Sequence, residues 1–171
     1  FFTSFQNGTS GANESNDMIV GTDNADSIST GDGNDTIFDL GGNDTVSAGN
    51  GDDTIIAGSG SDTYNGEAGT DTLDYRNSNA ITADFGSGRV TISGTAEVDT
   101  FSGIEGITGS SAADTVTGGS GSETLTGGGG ADSLQGAGGV DTFAYVLPSD
   151  GDVRTSNCLL YTSDAADDVE C

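Results

Sequence analysis

Four consecutive stretches carry the reading of this chain: TGDGNDTIF (30–38), DLGGNDTVS (39–47), AGNGDDTII (48–56) and AGSGSDTYN (57–65). Laid over one another, they hold an acid at the sixth place (Asp35, Asp44, Asp53, Asp62) and a bulky side chain at the eighth (Ile37, Val46, Ile55, Tyr64). The nine-residue period runs outward from this block. Upstream lie ANESNDMIV (12–20) with Asp17 and Ile19, and GTDNADSIS (21–29) with Asp26 and Ile28. Downstream lies GEAGTDTLD (66–74) with Asp71 and Leu73. A fixed period held this long marks a repeat architecture, and the terminal copies of such arrays are expected to be degenerate.

Residues 75–108 lose the period. Alternation in Ile81/Ala83/Phe85 and Val90/Ile92, with Phe101, Ile104 and Ile107 beyond, reads as short strands and turns. This segment is expected to be a β spacer within one solenoid, not a second domain. The period then returns in GSSAADTVT (109–117), GGSGSETLT (118–126), GGGGADSLQ (127–135) and GAGGVDTFA (136–144). The acid place here holds Asp114, Glu123, Asp132 and Asp141, and the bulky place Val116, Leu125, Leu134 and Phe143. Two repeat blocks, 12–74 and 109–144, therefore flank the spacer.

Each nonapeptide divides into a turn (places one to six) and a very short strand (places seven to nine). Only the eighth side chain is apolar, so each strand sends one side chain inward. Glycine at places two and four permits positive φ and lets backbone carbonyls approach an ion; Asn24, at place four of its copy, is a residue that tolerates the same conformation. Two nonapeptides make a coil of 18 residues with a turn on each flank. Stacked at strand spacing, about 4.8 Å, each acid lies over the one 18 residues earlier. The expected fold is an all-β parallel β-roll solenoid with two nonapeptides per coil. Carboxylates and carbonyls converge between stacked turns, and an oxygen-only donor set selects a hard cation, Ca²⁺ before Mg²⁺. Aspartate also favours turns without any metal, but eleven acids in phase exceed what turn chemistry requires. The off-register acids Asp23, Asp32, Asp39, Asp52, Glu67 and Asp74 read as solvated, with a minor ligand role as the alternative, and Tyr64 and Phe143 as large core fillers or end-of-roll residues.

Composition agrees. The chain has 171 residues, 30 glycines, one proline and no histidine, with 28 acids against three arginines and a net charge of −25. That balance excludes nucleic acid, whose phosphates need a basic surface, and it argues for cations as partners. No apolar run has membrane-spanning length, so no membrane insertion is expected. Without histidine there is no Ser-His-Asp triad, Cys-His pair or HExxH zinc site. Carboxylate pairs abound, but glycoside hydrolysis needs two in a shaped cleft, so no catalytic residue is assigned. High charge with few aromatics predicts disorder, and stacked carboxylates repel. The chain is therefore expected to be largely disordered without calcium and folded with it, binding energy becoming folding energy.

The ends read differently. Residues 1–11 are expected to close a preceding segment, so the chain reads as a fragment, and 145–157 form a C-terminal flank. From about Cys158 onward, through CLLYTSDAAD, the repeat chemistry fails and the sequence resembles a translated sequencing adapter; residues 158–171 are expected to be non-native. Both cysteines lie there, so no disulfide or thiolate site is expected. Dropping the tail removes four acids (Asp164, Asp167, Asp168, Glu170) and leaves the acidic excess.

These copies resemble the RTX family, the haemolysin-type calcium-binding repeats, through the pattern G-G-x-G-x-D-x-U-x. The resemblance covers residues 12–74 and 109–144. It implies a right-handed parallel β-roll binding several Ca²⁺ ions. It also implies a ligand set: carbonyls of places two and four with the acid of one turn, and carbonyls of places one and three with the acid 18 residues on. On that pattern Gly31, Gly33 and Asp35 meet Ala48, Asn50 and Asp53, while Gly49, Gly51 and Asp53 meet Gly66, Ala68 and Asp71. Gly127, Gly129 and Asp132 meet Ser110, Ala112 and Asp114, with the roles exchanged. Leu40 departs from glycine at place two, where only its carbonyl is needed, and Glu123 is one methylene longer than aspartate. The family context implies a module of a larger secreted bacterial protein, exported by a type I system and folding outside the cell. Two other readings stay open: an accessory module positioning substrate for a secreted protease, lipase or polysaccharide-modifying enzyme, and a structural segment of an adhesin or surface layer.

Overall fold

The computed structural model describes residues 16–144 and the strand 159–162; the readings of 1–11, 145–157 and most of 158–171 lie outside the described residues. In chain order the strands are β1 (Met18–Val20), β2 (Ser27–Asp32), β3 (Thr36–Phe38), β4 (Thr45–Asn50), β5 (Thr54–Ile56), β6 (Thr63–Ala68), β7 (Thr72–Asp74) and β8 (Ile81–Asp84). They continue as β9 (Arg89–Ile92), β10 (Val98–Ser102), β11 (Gly106–Thr108), β12 (Thr115–Thr117), β13 (Thr124–Thr126), β14 (Ser133–Ala137), β15 (Thr142–Ala144) and β16 (Leu159–Thr162). The fold is all-β, as the period predicts.

The strands form two sheets. One has seven strands in the order β1-β3-β5-β7-β11-β13-β15, all parallel. The other has nine, in the order β16-β14-β12-β8-β9-β10-β6-β4-β2. Within each repeat block the register is the 18-residue coil: Ile19 pairs with Ile37, Ile37 with Ile55, Ile28 with Val46 and Val46 with Tyr64. The eighth-place side chains Ile19, Ile28, Ile37, Val46, Ile55, Tyr64, Leu73, Val116, Leu125 and Leu134 are all buried in one core. Phe143 is half-buried against it in the last strand of the seven-stranded sheet.

The strands of the seven-stranded sheet are all three residues long. In the other, β2, β4 and β6 run six residues and carry the ladder into the first three places of the next nonapeptide. The extension passes through place one. Thr30 and Ala48 there are buried, and the Thr30 hydroxyl donates to the Ala48 carbonyl across the coils. Gly31 then pairs with Gly49 and Asp32 with Asn50. On the opposite flank the register is held in the turn by the bridge Gly41 to Ser59.

The spacer inserts a β hairpin into the nine-stranded sheet. β8 and β9 are antiparallel, β9 and β10 are antiparallel, and β10 and β12 resume parallel pairing with β6 and β8. The seven-stranded sheet continues without interruption through β7 and β11. Phe85 and Phe101 meet edge to face across the insertion, 5.2 Å between centroids.

Candidate metal centre

Stacking at 18 residues sorts the acids into columns, one on each flank. Along one flank Asp17, Asp35, Asp53 and Asp71 precede β1, β3, β5 and β7; along the other Asp26, Asp44 and Asp62 precede β2, β4 and β6. Each acid is clamped to the one a coil earlier. The Asp17 N–H donates to Asp35 Oδ1 at 2.7 Å, Asp35 N–H to Asp53 Oδ1 at 2.7 Å and Asp53 N–H to Asp71 Oδ1 at 2.8 Å. Asp26 to Asp44 and Asp44 to Asp62 repeat the contact at 2.8 Å each. The residue after each acid completes the clamp, as where Thr54 N–H donates to the Asp35 carbonyl at 2.9 Å.

That ladder uses one carboxylate oxygen and leaves the other. Oδ2 of Asp35, Asp44, Asp53 and Asp71 is buried without a hydrogen-bond partner. A buried carboxylate oxygen left in this state is costly, and its repetition at the same place in four turns requires a common cause. The backbone makes room for one. At place one, a Cβ on Gly66 would lie 2.5 Å from Asp71 Oδ2, and one on Gly127 would lie 2.4 Å from Asp132 Oδ2. The carboxylates thus fold back into turns that side chains would fill.

The carbonyls named from the sequence are close by. At places two and four the carbonyls of Gly31 and Gly33 press under the next coil, where a Cβ on Gly49 or Gly51 would meet them at 1.9 and 2.1 Å. The Ser110 and Ala112 carbonyls stand the same way beneath Gly128 and Gly130. Four of the named carbonyls also accept hydrogen bonds between coils: Ala48 from the Thr30 hydroxyl, Asn50 from Gly33 N–H, Ala68 from Gly51 N–H and Ser110 from Gly129 N–H. A carbonyl has two lone pairs, so this pairing leaves each a second direction. Several place-two residues other than glycine take positive φ: Leu40, Glu67 and Ala137 adopt 71°, 71° and 65°. Asn24, expected to share this conformation at place four, does not adopt it.

Electrostatics point the same way. Burial, then the carboxylates of Asp62 and Asp26, push Asp44 up to about 6. Burial, then Asp53, Glu105 and Asp52, push Asp71 up to about 6. Asp53, Asp62 and Asp132 rise for the same first reason, burial. Glu123 also rises by burial; its two oxygens accept from Gly119 and Gly121 N–H in its own turn, while its backbone N–H donates to Asp141 Oδ1 at 3.0 Å. Asp114 N–H donates to Asp132 Oδ1 at 3.0 Å. Asp132 and Asp141, near the end of the described coils, are only half-buried.

Two members of the columns escaped the periodic reading. Asp99 accepts from Asp62 N–H at 3.0 Å, and Glu105 accepts from Asp71 N–H at 2.9 Å. They continue the two stacks through the spacer, 37 and 34 residues on instead of 18. The pattern of acid, small residue, bulky residue is present in Asp99-Thr100-Phe101 and Glu105-Gly106-Ile107 and would have found them without the period. Asp99 is buried and pushed up to about 6 by burial, and the Tyr75 hydroxyl donates to its Oδ2 at 2.8 Å. In the acid slot of β8 stands Ile81, whose N–H donates to Asp114 Oδ1 at 2.7 Å.

Two off-register acids read as solvated are not. Asp39 and Asp74 are buried, at 0% and 1% exposure. Asp74 ends β7 and is paired with Arg76. Asp39 sits at place one of its turn, pointing inward beside Asp44 and Asp62. Asp23, Asp32, Asp52 and Glu67 are exposed.

Buried acids with one oxygen unpartnered, in turns lined by carbonyls and without a nitrogen or sulfur donor, fit a hard divalent cation of calcium size. The family model of the RTX calcium-binding nonapeptide repeat matches the chain in four copies, over residues 11–38, 40–73 and 107–144. No curated protein matches it.

Proposed function

This chain belongs to the RTX calcium-binding nonapeptide repeat family, and from that premise we propose that it is a calcium-responsive folding module of a larger secreted protein. The module itself is a calcium-binding β-roll. The observation that carries the proposal is the row of buried, unpartnered Oδ2 atoms on Asp35, Asp44, Asp53 and Asp71.

The ligands we assign are the side chains of Asp17, Asp26, Asp35, Asp44, Asp53, Asp62, Asp71, Asp114, Glu123, Asp132 and Asp141. With them go the carbonyls of Gly31, Gly33, Ala48, Gly49, Asn50, Gly51, Gly66 and Ala68. Asp99 and Glu105 join the same stacks. Bound calcium supplies positive charge between carboxylates that otherwise repel. The chain's own part is positional: in Asp35, Asp44, Asp53 and Asp71, Oδ1 holds the coil below and Oδ2 is left without a partner, and the Gly31 carbonyl presses toward the next coil at Gly49. With one large, fully buried apolar side chain in most nonapeptides, the core alone is thin, so neutralising the columns governs whether the coils stack.

Export follows from the same chemistry. Scarce calcium inside a cell leaves the chain extended for passage through a type I channel, and abundant calcium outside folds it. Among the described residues no helix is long and apolar enough to cross a membrane. The role we assign is binding and folding, with no catalytic residue.

The test is a calcium titration of the chain followed by far-ultraviolet circular dichroism, with magnesium in parallel. Cooperative gain of β signal with calcium and not with magnesium is expected. Full β signal in excess chelator at pH 7.5 would overturn the reading.

A further inference from the structure

Place one of the nonapeptide holds a small residue almost throughout: Gly21, Thr30, Ala48, Ala57, Gly66, Gly109, Gly118, Gly127 and Gly136. Asp39 breaks this pattern with a carboxylate. Its side chain does not escape to solvent: Asp39 is fully buried, Asp44 and Asp62 are each 2% exposed, and one oxygen of each lies within 4.8 Å of the others. Two oxygens bound to one calcium ion at about 2.3–2.6 Å stand at most about 5 Å apart, so all three fit around a single ion.

The partners of Asp39 are incomplete. The Tyr64 hydroxyl donates to its Oδ2 at 2.6 Å and also lies 3.1 Å from Asp62 Oδ2. Oδ1 is buried without a hydrogen bond of proper geometry, and it lies 2.7 Å from where a Cβ on Gly58 would stand. Asp44 Oδ2, in the same cluster, is also unpartnered. No arginine among the described residues offsets the three charges: Arg76 is paired with Asp74, and Arg89 is exposed. Three acids have thus been brought out of water around one point: Asp44 Oδ1 and Asp62 Oδ1 each accept one backbone N–H, the Tyr64 hydroxyl serves Asp39 and Asp62, and Asp39 Oδ1 and Asp44 Oδ2 have no partner.

We propose that Asp39 is an additional, off-register carboxylate ligand: with Asp44 and Asp62 it forms a three-carboxylate cation site, walled by Tyr64, between the turns at 39–44 and 57–62. This rests on the calcium reading above and singles out one site. A third carboxylate adds negative charge to the pair formed by Asp44 and Asp62, and affinity of oxygen sites rises with ligand charge.

The experiment is calcium binding to the full chain by equilibrium dialysis and calorimetry, comparing wild type with Asp39→Asn. Asparagine keeps the shape and the acceptor for Tyr64. The variant should still fold with calcium, and one site should weaken at least about tenfold or drop from the stoichiometry. Unchanged affinity and stoichiometry in a folded Asp39→Asn overturn the inference while leaving the calcium module intact, and assign Asp39 as a buried protonated acid. Absence of calcium binding by wild type fails the module reading itself. Should Asp39→Asn not fold, wild-type crystals with Tb³⁺ decide. An anomalous peak in bonding contact with an Asp39 oxygen supports the site; peaks only between register acids overturn it.

Discussion

Replacing Gly51 by alanine tests the stacking on which the metal centre depends. Gly51 sits at place four with φ of 134°, and an added Cβ would meet the Gly33 carbonyl oxygen at 2.1 Å and its carbon at 2.6 Å. Both are backbone atoms, so relief requires the coils to part. Parting strains two hydrogen bonds, Gly33 N–H to the Asn50 carbonyl and Gly51 N–H to the Ala68 carbonyl, each at 2.8 Å. The backbone conformation costs a non-glycine residue about 1–3 kcal/mol, and each hydrogen bond contributes about 0.5–1.5 kcal/mol. The substitution should therefore destabilise the calcium-loaded fold by about 2–6 kcal/mol, a large part of the ~5–15 kcal/mol that holds a domain together. Gly94 provides the control. Its φ is 82°, but a Cβ there meets nothing within 4 Å. Gly94→Ala should cost only its backbone term, about 1–2 kcal/mol. The assay is urea unfolding of both variants in saturating calcium, followed by circular dichroism with slopes compared. Equal losses at the two glycines would refute close coil-on-coil packing as the reason for Gly51.

Leu40→Gly should act in the opposite direction. Relieving the positive φ of 71° at a half-exposed side chain gains about 1–2 kcal/mol, less the added freedom of the unfolded chain, about 0.4–1 kcal/mol; a loss on urea unfolding would contradict the strain. Tyr64→Phe leaves the buried Asp39 without its donor and should cost about 1–3 kcal/mol in chelator at pH 5, read by the same unfolding midpoint. The calcium-free fold should weaken as pH rises. Asp39 is pushed up to about 7, and Asp44, Asp71 and Asp99 to about 6, first by burial, so between pH 4 and 7 the folded chain holds more protons than the unfolded one. Stability then falls with rising pH through that window. Circular dichroism in chelator should show more β signal at pH 5 than at pH 8, and the reverse order would refute the assignment of these buried acids.

Much of this molecule is legible in its sequence because the repeat carries its own register. The nine-residue period places Ile37 over Ile19 and Asp53 over Asp35 without any knowledge of the fold, since strand pairing in a solenoid is set by the length of one coil. Aspartate at place six and glycine at places two and four likewise announce the turn and its oxygen donors. Where the period stops, so does the foresight. Asp99 and Glu105 enter their columns through a hairpin whose length, not whose pattern, restores the register, and only the folded backbone shows that 37 and 34 residues close the same step as 18. Asp39 is the sharper case. An isolated acid at place one is indistinguishable in sequence from Asp32 or Asp52 at other off-register places, which are exposed. Burial is a property of the stacked coil: place one of that turn faces inward, toward Tyr64 from the next coil and the two acids Asp44 and Asp62. The sequence by itself determined the solenoid, its period and its chemistry, because these are local and repeated. The tertiary structure decided which carboxylates lie together, because that depends on which faces of neighbouring coils close over one another.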